Sequence, residues 1–154
     1  MDLRHGPGAD QNPRRPLQEF PRVNEALVSR RHRYGYPAAA AEMSLAYQAV
    51  DGTPPDSAFA DALIEHDLPR GTPQVHRLPA GAAASEAVFV PSDPCDGRAA
   101  EDDGYATAYV HDPGRGASDL VILAARVFTG EPVARIHLPV RVPLGCHGSW
   151  IPDA

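Results

Sequence analysis

From Ala134 to Val142 every second residue is apolar (Ala134, Ile136, Leu138, Val140, Val142), and Arg135, His137, Pro139 and Arg141 fill the alternate positions. That period of two is the pattern of a half-buried strand. Two prolines limit it. Pro139 and Pro143 have no N–H to give to a sheet ladder, so the strand is expected over residues 133 to 138, with an extended arm beyond it. The arm delivers Gly145-Cys146-His147-Gly148, a histidine between two glycines. Glycine lets a backbone turn sharply and approach another group closely, so His147 is aimed as a metal ligand on a loop tip would be. Ordinary turn histidines look the same, and the spacing alone leaves both readings open.

The same punctuation runs through the chain. Seventeen prolines and thirteen glycines in 154 residues favour many short elements over long helices, and the apolar patterns between them are of strand length. His32 to Tyr36 reads as a short strand ended by Pro37. Phe59 to Asp67 and Thr72 to Leu78 read as a hairpin turning at Leu68-Pro69-Arg70-Gly71. Ala80 to Ala84 is a small-residue connector before a strand at Glu86 to Val90, which Pro91 stops. Tyr105 to His111 alternates again, and Asp119 to Ala124 is a continuous apolar run suited to the middle of a sheet. Ala38 to Val50 stays ambiguous, since its alanines, Glu42 and Met43 also suit a short helix. Residues 1–16 lack periodicity and are expected to form a disordered lead-in. The expectation is therefore an all-β chain of antiparallel meanders.

A formal charge of −6 with scattered arginines argues against a nucleic-acid surface. No stretch approaches the roughly 18 apolar residues of a membrane span, and the N-terminus has no apolar core of a leader. Cys95 and Cys146 form no CxxC. A cytoplasmic location is the expectation. The usual catalytic signatures (HExxH, GxSxG, a Walker loop, GxGxxG) do not occur. Glu101-Asp102-Asp103 reads as a solvated turn before a strand rather than a catalytic carboxylate pair.

Four blocks, in order, carry a resemblance: EFPRVN followed by RRHRYGY, SEAVFVP, EDDGYATAYVHDPGRGASDLVIL, and LVILAARVFTGEPVARIHLPVRVPLGCHGSWIPD. Together they resemble the C-terminal part of the carotenoid cleavage oxygenases, the family that includes lignostilbene dioxygenases and the retinal pigment epithelium isomerase. The resemblance runs from about Glu19 to Asp153, implies a propeller part over residues 17–154, and matches only the last third or so of a family member. It implies the last three to four blades of a seven-bladed β-propeller.

It also implies a site. In the family a non-haem Fe(II) on the propeller axis is held by four histidines, with glutamates behind three of them to fix the imidazole tautomer and orientation. Carried over by motif, His147 is the fourth iron ligand, Glu86 its carboxylate partner, and Glu19 another such glutamate whose histidine lies elsewhere. None of His5, His32, His66, His76, His111 or His137 lies in a motif resembling those of the other three ligands. The implied activity is insertion of O2 across a conjugated C=C bond of a carotenoid, apocarotenoid or stilbenoid, giving two carbonyl products. The chain alone is expected to be inactive, needing an N-terminal partner with the remaining ligands. The alternative is a non-catalytic β-module, or a decayed remnant, that pairs with another chain through open blade edges. Local departures from the family pattern are Ala87, Cys146, Ala124 and Val127.

Overall fold

The computed structural model describes residues 17–40, 62–143 and 147–152. Among the described residues the paired strands fall into two antiparallel sheets. The first is a meander of β1 (Leu17–Arg22), β2 (Tyr34–Ala40), β3 (Ala62–Asp67) and β4 (Thr72–Arg77) in that order. The second holds β5 (Ala83–Ala84), β6 (Val88–Pro91), β7 (Gly104–Asp112), β8 (Ala117–Ala124) and β9 (Ala134–His137), with β5 and β6 both laid along β7. Gly71 and Gly116 take positive φ in the turns that close the β3–β4 and β7–β8 hairpins. No helix among the described residues is long and apolar enough to cross a membrane.

One core joins the sheets. Tyr36, Ala38 and Leu63 from the first pack with Phe89, Ala106, Val110, Val121, Leu123 and Phe128 from the second. The Tyr36 ring lies over Phe89 at 5.5 Å, with Phe128 at 6.0 Å. At the top of this core Glu101, from the loop before β7, accepts the backbone N–H of Arg33 (2.7 Å) and of Tyr34 (2.7 Å) at the start of β2. Arg33 in turn grips Asp67 through two nitrogens, at 2.9 and 2.6 Å, and holds that carboxyl below the usual carboxylate range.

The described residues form two sheets, and the loops at 23–33 and 92–103 add length without adding strands. Several finer expectations need correction. Pro37 does not end its strand but lies buried within β2. It is tolerated because β1 bulges opposite it: between the pairs Glu19↔Ala38 and Arg22↔Tyr36, Phe20 and Pro21 face one residue, so no ladder bond is required of the proline. The connector at 80–84 contributes a short strand, β5, with both alanines buried. Glu101 is a tie between the sheets, not a solvated turn residue. Ala38 to Ala40 continue β2, and the remainder of the ambiguous segment lies outside the described residues, as does the lead-in at 1–16.

Candidate metal centre

Two bulges, one in each sheet, build the candidate site. In the second sheet the register slips between Ala84↔Val110 and Val88↔Thr107, so Ser85, Glu86 and Ala87 oppose only Ala108 and Tyr109. An extra residue of this kind bends the strand and re-aims a side chain. Ser85 caps the break: its N–H donates to the Tyr109 carbonyl at 2.8 Å and its Oγ accepts the Tyr109 N–H at 3.1 Å. Glu86 is thereby turned inward, with its side chain 4% exposed.

A buried carboxylate is stable only when its oxygens are met. Glu86 Oε1 accepts the Gly148 N–H at 2.7 Å, and Oε2 lies 3.2 Å from His147 Nδ1. Because the carboxylate accepts, Nδ1 donates, and the lone pair of the imidazole is left at Nε2. The Arg22 guanidinium, at 3.6 Å from Oε1, adds a cation beside that oxygen.

The first-sheet bulge supplies the other neighbour. Phe20 sits at φ 51°, uncommon for a bulky residue, and its ring meets the His147 ring edge-on at 5.1 Å and 79°. Thus the structure brings Glu86 and His147 together. Glu19, one residue before Phe20, is half-buried opposite Ala38 and is not hydrogen-bonded to His147. Sequence reasoning missed Phe20 and Arg22, although the EFPR segment that holds both carried part of the resemblance. Beside His147 a cavity of about 300 Å³ is lined by Val88, Val90, Leu120, Val142 and Trp150 among others.

Nδ1 tied to a carboxylate with Nε2 unused is how protein imidazoles are commonly oriented toward metals. Among the described residues no group of three or more His, Cys, Asp or Glu could hold an ion. The residues therefore fit one corner of a metal centre and not a whole one.

Two further clusters are structural. Asp119 on β8, almost fully buried, is met by Arg115, by Arg135 (3.1 Å) and by His137 Nδ1 (2.9 Å). Burial would push its carboxyl up, but these partners outweigh it and hold it below the usual range. Glu65 on β3 is buried with Oε1 accepting from Gln74 at 2.8 Å, while Oε2 and the Tyr36 hydroxyl find no hydrogen-bond partner among the described residues. Burial pushes the Glu65 carboxyl up to about 7, against the pull of Gln74.

Two antiparallel sheets that share one core, with an oriented imidazole beside the irregular strands of both, are the kind of unit a β-propeller repeats. The comparisons agree. The family model described as retinal pigment epithelial membrane protein matches residues 1–152. The carotenoid cleavage oxygenase of Mycobacterium tuberculosis is 36% identical over 138 residues, covering 88% of this chain and 25% of that protein. The carotenoid 9,10(9',10')-cleavage dioxygenase 1 of Arabidopsis thaliana is 30% identical over 149 residues, covering 88% and 24%. Among solved structures, a Synechocystis apocarotenoid oxygenase superposes with a TM-score of 0.73 at 30% identity, over 90% of this chain and 26% of that one. A cobalt-substituted form of that oxygenase gives 0.72 at 31% identity, with the same coverage. The chain belongs to the carotenoid cleavage oxygenase family. It spans about a quarter of the length of the relatives it matches.

Proposed function

We propose that this chain is the C-terminal part of an Fe(II)-dependent dioxygenase that splits a conjugated C=C bond of a carotenoid, apocarotenoid or stilbenoid into two carbonyl products. The observation that carries the reading is the His147–Glu86 hydrogen bond, which leaves Nε2 as the ring's only available donor. The cobalt-substituted relative supports it, since a metal that has been substituted is one the protein holds.

His147 would hold one coordination position. Iron, when bound, would supply the chemistry by which O2 becomes reactive toward an alkene. Everything else falls to protein groups. Glu86 fixes the imidazole tautomer, the Gly148 N–H locks the carboxylate, and Arg22 offsets its charge. The cavity beside His147, lined mostly by apolar side chains, offers room for a section of hydrocarbon chain. One imidazole binds Fe(II) weakly against water, so activity requires donors from outside this set of residues. In a complete enzyme Glu19 would orient one of those other imidazoles.

The test is reconstitution. The chain is joined to, or co-expressed with, the N-terminal portion of a relative such as the mycobacterial oxygenase, then supplied with ferrous iron, an apocarotenoid or a stilbene, and labelled O2. Two carbonyl products carrying label are expected. Iron uptake without cleavage of either substrate class would refute the substrate assignment, and absence of iron uptake would refute the site.

A further inference from the structure

The hydrogen bond from Nδ1 to Glu86 sets one direction of the His147 ring but leaves it free to pivot about that bond. The side chain is 66% exposed, so packing by Glu86 alone does not stop the pivot. The contact that does so comes from the other sheet. Phe20 approaches edge-on at 5.1 Å with its ring 79° from the imidazole plane. Such pairs prefer this geometry, because the positive edge of one ring meets the negative face of the other.

Phe20 reaches that position through an unusual backbone. It stands at φ 51° in the bulge, a conformation that a bulky residue adopts only when its surroundings impose it. The surroundings do: the ladder is intact on both sides, at Glu19↔Ala38 and Arg22↔Tyr36. Arg22, two residues on, reaches Glu86 from the same bulge. One strand irregularity therefore touches both members of the His147–Glu86 pair.

We propose that Phe20 is a positioning residue for His147: the β1 bulge presses its ring against the imidazole, and with Glu86 it fixes the plane in which Nε2 is presented. The use of that plane for a metal rests on the proposed function. The positioning itself does not, and its test is metal-free.

The test is NMR of the imidazole in this chain, labelled at histidine nitrogen, for wild type, Phe20→Leu and Phe20→Tyr. Wild type is expected to show a single Nδ1–H tautomer and cross-relaxation between the Phe20 and His147 rings. Leucine keeps apolar bulk but removes the edge, so the population of rings turned away from Glu86 should rise about 2- to 10-fold, the range of an aromatic pair worth about 0.5–1.5 kcal/mol. Tyrosine should restore the wild-type pattern. An unchanged tautomer and unchanged ring dynamics in Phe20→Leu, with a native amide fingerprint, would overturn the proposal. Should Phe20→Leu not fold, the wild type decides alone: absence of Phe20–His147 cross-relaxation overturns the proposal, and its presence with a single tautomer upholds it. Neither result depends on iron, so failure here is distinguishable from failure of the oxygenase reading.

Discussion

Replacing Glu65 by glutamine should change how stability depends on pH. The Glu65 carboxyl is pushed up to about 7 by burial between the sheets, with Asp102 and Asp67 adding to the rise and Gln74 and Arg33 opposing it. Relative to the ordinary value of 4.5, folding raises the affinity of this group for its proton. The folded state therefore holds a proton that the unfolded chain releases between pH 4.5 and about 7. The associated stability is complete below pH 4.5 and is lost as pH rises toward and through 7. At 1.36 kcal/mol per unit the loss is at most about 3 kcal/mol, and solvent screening would bring it nearer to 1–2 kcal/mol.

Other groups titrate with other signs. His76, whose ring is pushed down by burial, favours the folded state as pH rises toward 6.5, opposite to Glu65. Asp67 and Asp119, both held low, contribute stability that is lost only as pH falls below about 4. The observable is therefore the difference between wild type and Glu65→Gln. Urea unfolding of both at pH 5 and pH 8 should show the wild type losing about 1–2 kcal/mol more than the variant on going to pH 8. Parallel pH dependences would refute the reasoning.

Three further outcomes are expected. Glu101→Ala removes the acceptor for the Arg33 and Tyr34 N–H groups, and urea unfolding should show a loss of about 2–4 kcal/mol. Gly104→Ala would place a methyl 2.3 Å from the Val90 carbonyl oxygen and 2.7 Å from Phe89 Cζ, so the β6–β7 pairing must shift; a loss of roughly 3 kcal/mol or more is expected by thermal unfolding. Glu86→Ala leaves the Gly148 N–H without its acceptor, and hydrogen exchange at that amide should accelerate at least about tenfold.

The strands were legible where the physics is local. Tyr105 to His111 and Asp119 to Ala124 alternate or run apolar as their burial requires, and β8 lies between β7 and β9 as its apolar run implied. The Ala134 strand forms where its alternation placed it, over Ala134–His137, but it is not half-buried: Arg135, Ile136 and His137 are all exposed at this outermost strand of the sheet. The bulges were not legible. An extra residue at Phe20-Pro21 or Ser85-Glu86-Ala87 changes pairing without changing composition, and only the facing strand reveals it. Pro37 misled for the same reason, since the rule against proline in a strand does not hold opposite a bulge. Glu101 misled because acids in turns are usually solvated, and its partners lie 67 and 68 residues away. Likewise no spacing rule connects Glu86 to His147 across 61 residues; their association entered with the family resemblance.

The most direct measurement is the metal content and affinity of a complete propeller that includes this chain, loaded with ferrous iron or cobalt, in wild-type, Glu86→Gln and His147→Ala forms. Stoichiometric metal is expected in wild type, affinity about 10- to 100-fold weaker in Glu86→Gln, and a larger loss with an altered ligand-field spectrum in His147→Ala. Wild-type affinity and an unchanged spectrum in His147→Ala would contradict the assignment of this imidazole as one corner of the centre.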